Sequence, residues 1–280
     1  MALSVLTNVA SMNAQRNLAA TGQALSASIG RLSSGMRINS ASDDAAGLGI
    51  SENLKADIRS MAQAQRNTND GISMSQVAEG AMNEMGGIVS RMRELAVQSA
   101  NQTLGSDERG YIQTEFTQLR NEVNRISATT EFNGQKLVDG SASAGLAFQV
   151  GINNSANDRV AMSITKLTTS TLGSTSLHIA SATLSTVTGA RNALAAFDKA
   201  IGQLSSARAK VGATQNRLQV TVSNLAVAQE NLSAANSRIR DVDVASETAS
   251  LTKSQILSQA GLAVLSQANQ VPQSALSLLR

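Results

Sequence analysis

The residues best suited to chemistry are few, and they lie far apart in the sequence. His178 is the only histidine, and the chain has no cysteine. A metal site or an acid–base site needs several such groups together, so we expect His178 to be a surface residue. The adjacent Asp43 and Asp44 are typical of acids at a helix start, and Gly47 and Gly49 lack the lysine of a phosphate-binding loop. The sequence therefore predicts a protein that is not an enzyme and binds no metal or cofactor.

The composition argues against several other classes of function. The net charge of +3 is small, and charges of both signs are interleaved along the chain, so no nucleic-acid-binding surface is indicated. No run of about 18 apolar residues is present, so we expect no membrane insertion. Residues 1–20 lack the basic start and continuous apolar stretch of a cleaved signal peptide. We therefore expect that any export proceeds without cleavage of such a peptide.

Apolar residues recur at alternating steps of three and four along most of the chain, the pattern by which one helix presents a narrow seam to another. Aromatic residues make up only 2% of the sequence, which favours narrow helix seams over a thick core. Residues 101–107 predict a turn between two of the blocks. The blocks are Leu18, Gly22, Leu25, Ile29, Leu32 and Met36; Ala78, Met82, Met85, Val89, Met92 and Ala96; Ile112, Phe116, Leu119, Val123 and Ile126; and Leu257, Gly261, Val264, Ala268 and Val271.

The longest block begins at Leu194 and ends at Ile239. As one helix with a rise of 1.5 Å per residue it would span roughly 68 Å. The single proline, Pro272, lies near the C-terminus, so no earlier proline forces a helix to end. These features predict long rod-like helices.

The middle of the chain has a different pattern. Two runs with a period of two predict a β-hairpin at about residues 146–164: Phe148, Val150 and Ile152, then Val160, Met162 and Ile164. Turn pairs such as Asn133-Gly134 lie nearby. Residues 165–188 are rich in Ser and Thr and poor in charge, so we expect a surface loop or a short linker there.

The predicted fold is mainly α, with long coiled-coil rods from both chain ends and a small β-hairpin and loop in the middle. Amphipathic helices need their apolar stripes covered. A rod made only of the two terminal helices would leave apolar surface exposed, so we expect neighbouring subunits to cover it. The sequence therefore predicts a self-assembling structural protein.

Several segments resemble, in the same order, those of the bacterial flagellins. The longest is LSSGMRINSASDDAAGLGI, from Leu32 to Ile50. It is followed by QRNTNDGIS from Gln65, QVAEGA from Gln76, RMRELAVQ from Arg91, FNG at 132–134 and the terminal QANQVPQSALSLLR. The resemblance covers roughly residues 1–164 and 190–280.

The resemblance implies an extracellular subunit that polymerises into the flagellar filament used for motility. It implies an inner coiled-coil domain of residues 1–42 and 240–280, and a rod domain of residues 43–239. The hairpin at about 146–164 and a short variable loop at about 165–190 belong to the rod domain. In longer flagellins the outer variable domains lie between the hairpin and the returning helix, so this chain resembles a minimal flagellin that lacks them. The implied partners are further copies of the chain, an export chaperone, and the filament cap and hook-junction proteins. Gly86-Gly87 departs from the family pattern, and either backbones approach closely there or the helix is locally weak.

The resemblance also suggests residues that a host would recognise. Arg91, Leu95 and Glu115 match the epitope of the vertebrate Toll-like receptor for flagellin, and we expect them to form one patch that also contacts a neighbouring subunit. The chain end would serve filament packing and recognition by a cytosolic inflammasome receptor, through Leu276, Leu278, Leu279 and Arg280.

Two alternatives stay open at this point. One is a hook–filament junction protein or another helical flagellar component. The other is a coiled-coil interaction protein that does not polymerise.

Overall fold

The computed structural model describes residues 7–173 and 177–277, and most of them are helical. Two small antiparallel hairpins lie between the third and fourth of the long helices. This confirms the predicted mainly α fold with a β-hairpin in the middle. The helices are α1 (Val9–Ser34), α2 (Ala45–Ser99), α3 (Ser106–Thr129), α4 (Val187–Arg240) and α5 (Val244–Ser277).

The helix ends follow local sequence signals. The Asn8 side chain accepts a hydrogen bond from the Ser11 N–H and caps α1, which ends at Gly35 with a φ of 70°. Asp44 Oδ1 accepts from the Gly47 N–H at 2.9 Å and caps the start of α2, as predicted for an acid at a helix start. A side chain at Gly47 would clash with that carboxylate. The turn predicted at 101–107 joins α2 to α3.

The chain divides into two compact units. The terminal unit comprises residues up to Ile58 together with those from Glu230 onward, and the central unit comprises Arg59–Gln229. Both boundaries fall inside a helix, one in α2 and one in α4. The division at residues 42/43 and 239/240 implied by the resemblance stays a prediction about the assembled protein.

In the terminal unit α1 packs antiparallel against α5. Leu18 contacts Gly261, and Asn8 Nδ2 donates to the Ala268 carbonyl at 2.8 Å. The seam is composed largely of small and hydroxyl-bearing residues, and on α5 it is formed by Leu251, Ser254, Ser258, Gly261, Leu265 and Ala268, all half-buried.

This seam agrees with the predicted one at positions such as Leu18, Gly261 and Ala268 but differs from it at three other apolar positions. Ile29, Leu257 and Val264 are 52%, 49% and 59% exposed, so placing them in the seam was wrong for this helix pair. The buried positions of α1 are Ser11, Ala14 and Ser28, and the last of these is next to Ile29. Where Ala, Ser and Gly can all occupy a close helix contact, the positions of the large apolar residues do not determine which face turns inward.

The central unit encloses a core between three helices: the C-terminal half of α2, the whole of α3 and the N-terminal half of α4. Met82, Met85 and Met92 on α2 are fully buried, as the block pattern predicts. Phe116 and Phe197 meet edge to face, with ring centroids 5.9 Å apart and an interplanar angle of 65°, an arrangement favoured by aromatic quadrupoles.

The predicted hairpin is formed by β3 (Leu146–Gln149) and β4 (Arg159–Met162), with Phe148 opposite Val160. A shorter hairpin, β1 (Glu131–Phe132) with β2 (Gln135–Lys136), encloses the Asn133-Gly134 turn. Both turn residues have positive φ, 49° and 77°, as expected for a tight two-residue hairpin turn. Only the turn, and not its strands, was recognised from the sequence.

The Ser/Thr-rich segment is a packed strap and not a free surface loop or linker. Leu167, Leu172, Ile179 and Leu184 are at most 1% exposed and belong to the central core. Apart from the short 3₁₀ helix Ile179–Ser181, most of its described residues lack regular structure. The expectation of a surface loop or linker was wrong. The isolated apolar residues of this polar segment show neither helical nor strand periodicity, so the sequence did not indicate that their side chains are buried.

Polar side chains of the neighbouring helices hold the strap backbone. On α3, Gln113 accepts from the Leu184 N–H at 2.6 Å and Arg120 donates to the Ala180 carbonyl at 2.9 Å. On α4, Gln203 exchanges two hydrogen bonds with the backbone of Gly173. These bonds satisfy backbone groups that lack a strand or helix partner.

Candidate assembly surface and recognition residues

Arg91 lies on α2 between two carboxylates. Its Nε donates to Glu115 Oε1 on α3 at 3.0 Å, and its Nη1 donates to Glu94 Oε2 at 3.0 Å. Glu94 first, and then Glu115, raise the pKa of the Arg91 guanidinium. The antiparallel return of α3 therefore brings Glu115 to the level of Arg91, as the sequence predicts. Exposed ion pairs of this kind stabilise a fold little, so the fold does not depend on this cluster.

Leu95 does not share that surface. It is 1% exposed and lies in the core of the central unit. The expectation of a single exposed patch formed by Arg91, Leu95 and Glu115 is therefore wrong for Leu95. Four residues after Arg91 on a helix of 3.6 residues per turn, Leu95 is rotated by about 40° from it, toward the buried face that contains Met92 and Ala96.

The terminal candidates are only partly within the described residues. Leu276 lies in α5, and nothing is described of its side chain. Leu278, Leu279 and Arg280 lie outside the described residues. Their proposed roles rest on the sequence alone.

The terminal unit contains a polar junction where α4 leads into α5. Met36 and Asp241 form an antiparallel β-bridge, and the Arg37 N–H donates to the Arg240 carbonyl at 2.6 Å. The Arg240 side chain donates to Glu52 and, at 3.1 Å, to the sulfur of Met36. The hydrogen bond from Arg240 lowers the pKa of Glu52 below its ordinary value. Sequence patterns missed this junction because its partners are some 200 residues apart in the chain.

A second polar turn precedes α2. Asp43 Oδ2 accepts hydrogen bonds from the Ser40 N–H at 2.9 Å and from the Asn39 N–H at 3.1 Å. These bonds, chiefly the one from Ser40, lower the pKa of Asp43 below its ordinary value of 3.8. Asp43 and Asp44 thus organise a turn and a helix start.

The remaining candidate for chemistry is His178, which is half-buried and so not the surface residue expected from the sequence. Its backbone forms a β-bridge with Gly173, and its Nδ1 is buried without a hydrogen-bond partner. Among the described residues, no group of three or more His, Cys, Asp or Glu side chains could hold a metal ion. Nor does any helix in this described part have an apolar stretch long enough to cross a bilayer.

Large apolar side chains project outward from the helix pair of the terminal unit. On α1 these are Val9 and Met12, in addition to Ile29. On α5 they are Val244, Ile256, Leu257, Leu262 and Val264, all between 49% and 60% exposed. Such a concentration of exposed apolar side chains indicates an interaction surface.

Comparison with known proteins identifies the family. The model of the bacterial flagellin N-terminal helical region matches residues 5–143, and the model of the C-terminal helical region matches residues 194–279. The chain belongs to the bacterial flagellin family. It is 45% identical over 273 residues to a flagellin of Halalkalibacterium halodurans and 43% identical over 302 residues to one of Bacillus subtilis, covering 98% of this chain and of each relative. It is also 42% identical to the flagellar filament 33 kDa core protein of Treponema phagedenis, again covering 98% of both chains.

Membership in this family confirms the function predicted from the sequence. This flagellin is a structural subunit of the extracellular flagellar filament and not an enzyme. The functional site of such a subunit is the surface through which copies of the chain assemble.

Proposed function

We propose that α1 and α5 drive assembly of this flagellin, and that neighbouring copies cover the apolar side chains which the two helices leave exposed. The observation that carries the proposal is the distribution of these side chains around α5. Leu257 and Val264 are seven residues apart and share one face, whereas Ile256 and Leu262 point in other directions. A helix that is apolar on several faces is typical of one surrounded by other helices.

The charge content of the two helices supports the same proposal. The sequence of α1 contains two charged residues, Arg16 and Arg31, and that of α5 contains Glu247 and Lys253. A helix pair whose outer faces stay exposed to solvent typically carries many more charged residues on those faces. The central unit, by contrast, buries most of its large apolar side chains by itself, although Val97, Val220 and Val227 stay exposed, and it would act as the rod.

Electron microscopy of purified protein tests this function. After the monomer is concentrated above its critical concentration, negative staining should reveal long filaments of uniform width. Short, limited assemblies would favour the alternative of a hook–filament junction protein, and the absence of any assembly would favour a coiled-coil interaction protein. Either of these results would contradict the proposal.

The proposed partners follow from the same exposed surface. Before assembly, the apolar faces of α5 need cover, and an export chaperone that binds this helix would supply it. We propose export without a cleaved signal peptide, and contact with the filament cap and hook-junction proteins through the terminal helices. Leu276, Leu278, Leu279 and Arg280 would extend the packing surface and be recognised by the inflammasome receptor.

We further propose that Arg91 and Glu115 form a surface that contacts a neighbouring subunit in the filament and the Toll-like receptor in the monomer. Leu95 would support this surface from beneath, through its place in the core. Arg91→Ala should lower receptor activation by monomer at least about tenfold, as for an arginine at the centre of an interface.

Arg93→Ala is the matched control for this substitution. Arg93 lies on the same helix, is similarly exposed and pairs with Asp198 at 2.7 Å. A reporter assay with monomers of equal folded content should distinguish the two variants. Equal activity of Arg91→Ala and wild type would remove the receptor role.

A further inference from the structure

A groove of about 430 Å³ lies on the central unit, between the first residues of the strap and α4. Its volume is within the range of roughly 300–1,000 Å³ that is typical of small-molecule sites. The larger apolar residues that line it, Leu167 and Leu172, are almost completely buried. The other lining residues contribute hydroxyl, amide and ammonium groups, and none of the lining residues is acidic. The groove therefore combines an apolar surface with polar groups that carry no negative charge.

Two lysines line this groove from different elements. Lys166 belongs to the strap and Lys210 to α4. Neither ammonium group has a hydrogen bond or a salt bridge within the described part of the chain, and the hydroxyl groups of Thr165 and Ser206 have no partner there either. Ammonium and hydroxyl groups are all hydrogen-bond donors. Two positive charges and two further donors thus line one groove without using their binding capacity inside the protein.

Local structure positions these groups. Gly140 has a φ of 106°, and a Cβ there would lie only 3.0 Å from the Cβ and Cγ of Lys166. The aliphatic part of Lys166 therefore packs on a residue without a side chain, while its ammonium group stays exposed. On α4, Ser206 and Lys210 are four residues apart and so are neighbours on one helix face. The donors of the two elements are thereby held at the same groove.

Gly202 keeps the groove open on the α4 side. It lies inside a helix, where glycine is less favourable than alanine. A Cβ at this position would meet no atom within 4 Å, so close packing within the chain does not require a glycine here. Because Gly202 lines the groove, a large side chain at this position would occupy space that a ligand could use.

We infer that this groove binds the sulfate or phosphate group of an anionic ligand. Both groups have several acceptor oxygens and a negative charge, which match the hydroxyl and ammonium donors on the two sides of the groove. The groove has room for more than the anion alone, and its amide and apolar lining suits the remainder of a small ester such as a sugar sulfate or a sugar phosphate. The site belongs to the central unit and includes no residue of α1 or α5, so the inference does not rest on the proposed assembly surface.

Saturation-transfer NMR, which observes the ligand, tests the inference on dilute monomer of the full chain. Glucose 6-sulfate and glucose 6-phosphate are the probes, and glucose is the uncharged reference. Light scattering verifies that the protein does not assemble during the titration. Both esters should receive saturation from the protein, glucose should not, and inorganic phosphate should displace the esters. Binding of only one ester would also support the site and would identify which of the two groups it accepts.

Substitution of the lysines tests the location of the site. Lys166→Met and Lys210→Met should each weaken binding of the esters about fivefold, the effect expected for one solvent-exposed ionic contact. Lys199→Met is the matched control. Lys199 lies on α4 eleven residues before Lys210, which is close to three full turns, so the two lysines share nearly the same face. Lys199 does not line the groove, and its substitution should leave binding unchanged.

A change of shape without a change of charge is the second test. Gly202→Leu keeps both lysines but fills the groove, and it should weaken binding at least as much as the loss of one lysine. Gly87→Leu is its control, because Gly87 is another exposed helix glycine with open surroundings. Circular dichroism verifies that each variant is folded.

Three results would overturn the inference. Equal loss of binding in Lys199→Met and Lys210→Met would show general attraction by the charge of the helix. Unchanged binding in Gly202→Leu would show that the esters do not occupy the groove. The absence of any preference for the esters over glucose would show that the groove does not recognise the anionic group.

Discussion

Val264 is the position at which the proposed assembly surface can be probed with least disturbance of the monomer. Its side chain is 59% exposed on α5, away from the face that contacts α1. Val264→Ala keeps the residue apolar and replaces a β-branched side chain by the best helix former. The monomer should therefore lose no helix, and any effect on assembly should come from the contact with a neighbouring copy.

The size of that effect follows from the exposed fraction. Valine has two methyl groups more than alanine, and their complete burial is worth about 1.6 kcal/mol at ~0.8 kcal/mol per group. Since 59% of the side chain is still exposed in the monomer, about 1 kcal/mol of this is available to assembly. A difference of ~1 kcal/mol corresponds to a roughly fivefold change in an equilibrium constant. The critical concentration for filament formation should rise by that factor.

Sedimentation of filaments at a series of total concentrations measures the critical concentration directly. Val227→Ala is the matched control, because Val227 is also a 59% exposed valine on a long helix but belongs to the central unit. We expect it to change the critical concentration less than Val264→Ala does. If Val264→Ala polymerises like the wild type, or if both variants are equally impaired, α5 does not have the special role assigned to it.

Three other predictions use different parts of the molecule. Removal of residues 1–40 or 240–280 should leave a central unit that unfolds cooperatively by circular dichroism but forms no filaments; filaments from either truncation would contradict the division of roles. Gly87→Ala should raise the free energy of unfolding in urea by about 1 kcal/mol, because its Cβ would meet no atom within 4 Å, and a loss of stability would indicate an unseen close contact. Because the folded-state pKa of Asp43 lies below 3.8, its contribution is fully present above that pH and is lost as the pH falls through the lower value. The difference in unfolding free energy between wild type and Asp43→Asn should therefore be constant near neutral pH and shrink in acid, whereas a pH-independent difference would refute the role of the carboxylate.

The central unit could be predicted from the sequence because its buried positions are occupied by large side chains. Met82, Met85, Val89 and Met92 recur at steps of three and four and are all fully buried. When the residues at such steps are bulky and those between them polar, only one helix face can turn inward. Gly86 and Gly87 interrupt this pattern, but the space around them is open, so a close backbone approach within the chain is not the reason for them.

The strap and the polar contacts could not be predicted in the same way. Ser99 lies at the end of α2 and donates to the Leu184 carbonyl across 85 residues of sequence. Arg240 reaches Glu52 across 188 residues. Neither contact has a period or a short motif, because each depends on where separate segments meet in the folded chain. Single polar residues therefore gave no signal that would distinguish a structural contact from a solvated side chain.

Ile29, Leu257 and Val264 were wrongly placed in the α1–α5 seam because an apolar helix face can be covered by two kinds of partner: the other helix of the same chain, or another copy of the chain. The sequence pattern locates apolar side chains that must be covered, but it does not state whether α1, α5 or another copy of the chain covers them. In the described terminal unit small residues, together with leucines such as Leu18, form the close contact between α1 and α5, whereas these three large residues stay outside it. A seam of small residues lets two helices approach closely, while the large residues beyond it retain most of the apolar area still to be buried. The terminal helices can therefore pair within one chain and still leave apolar surface whose burial would stabilise assembly with another copy of the chain.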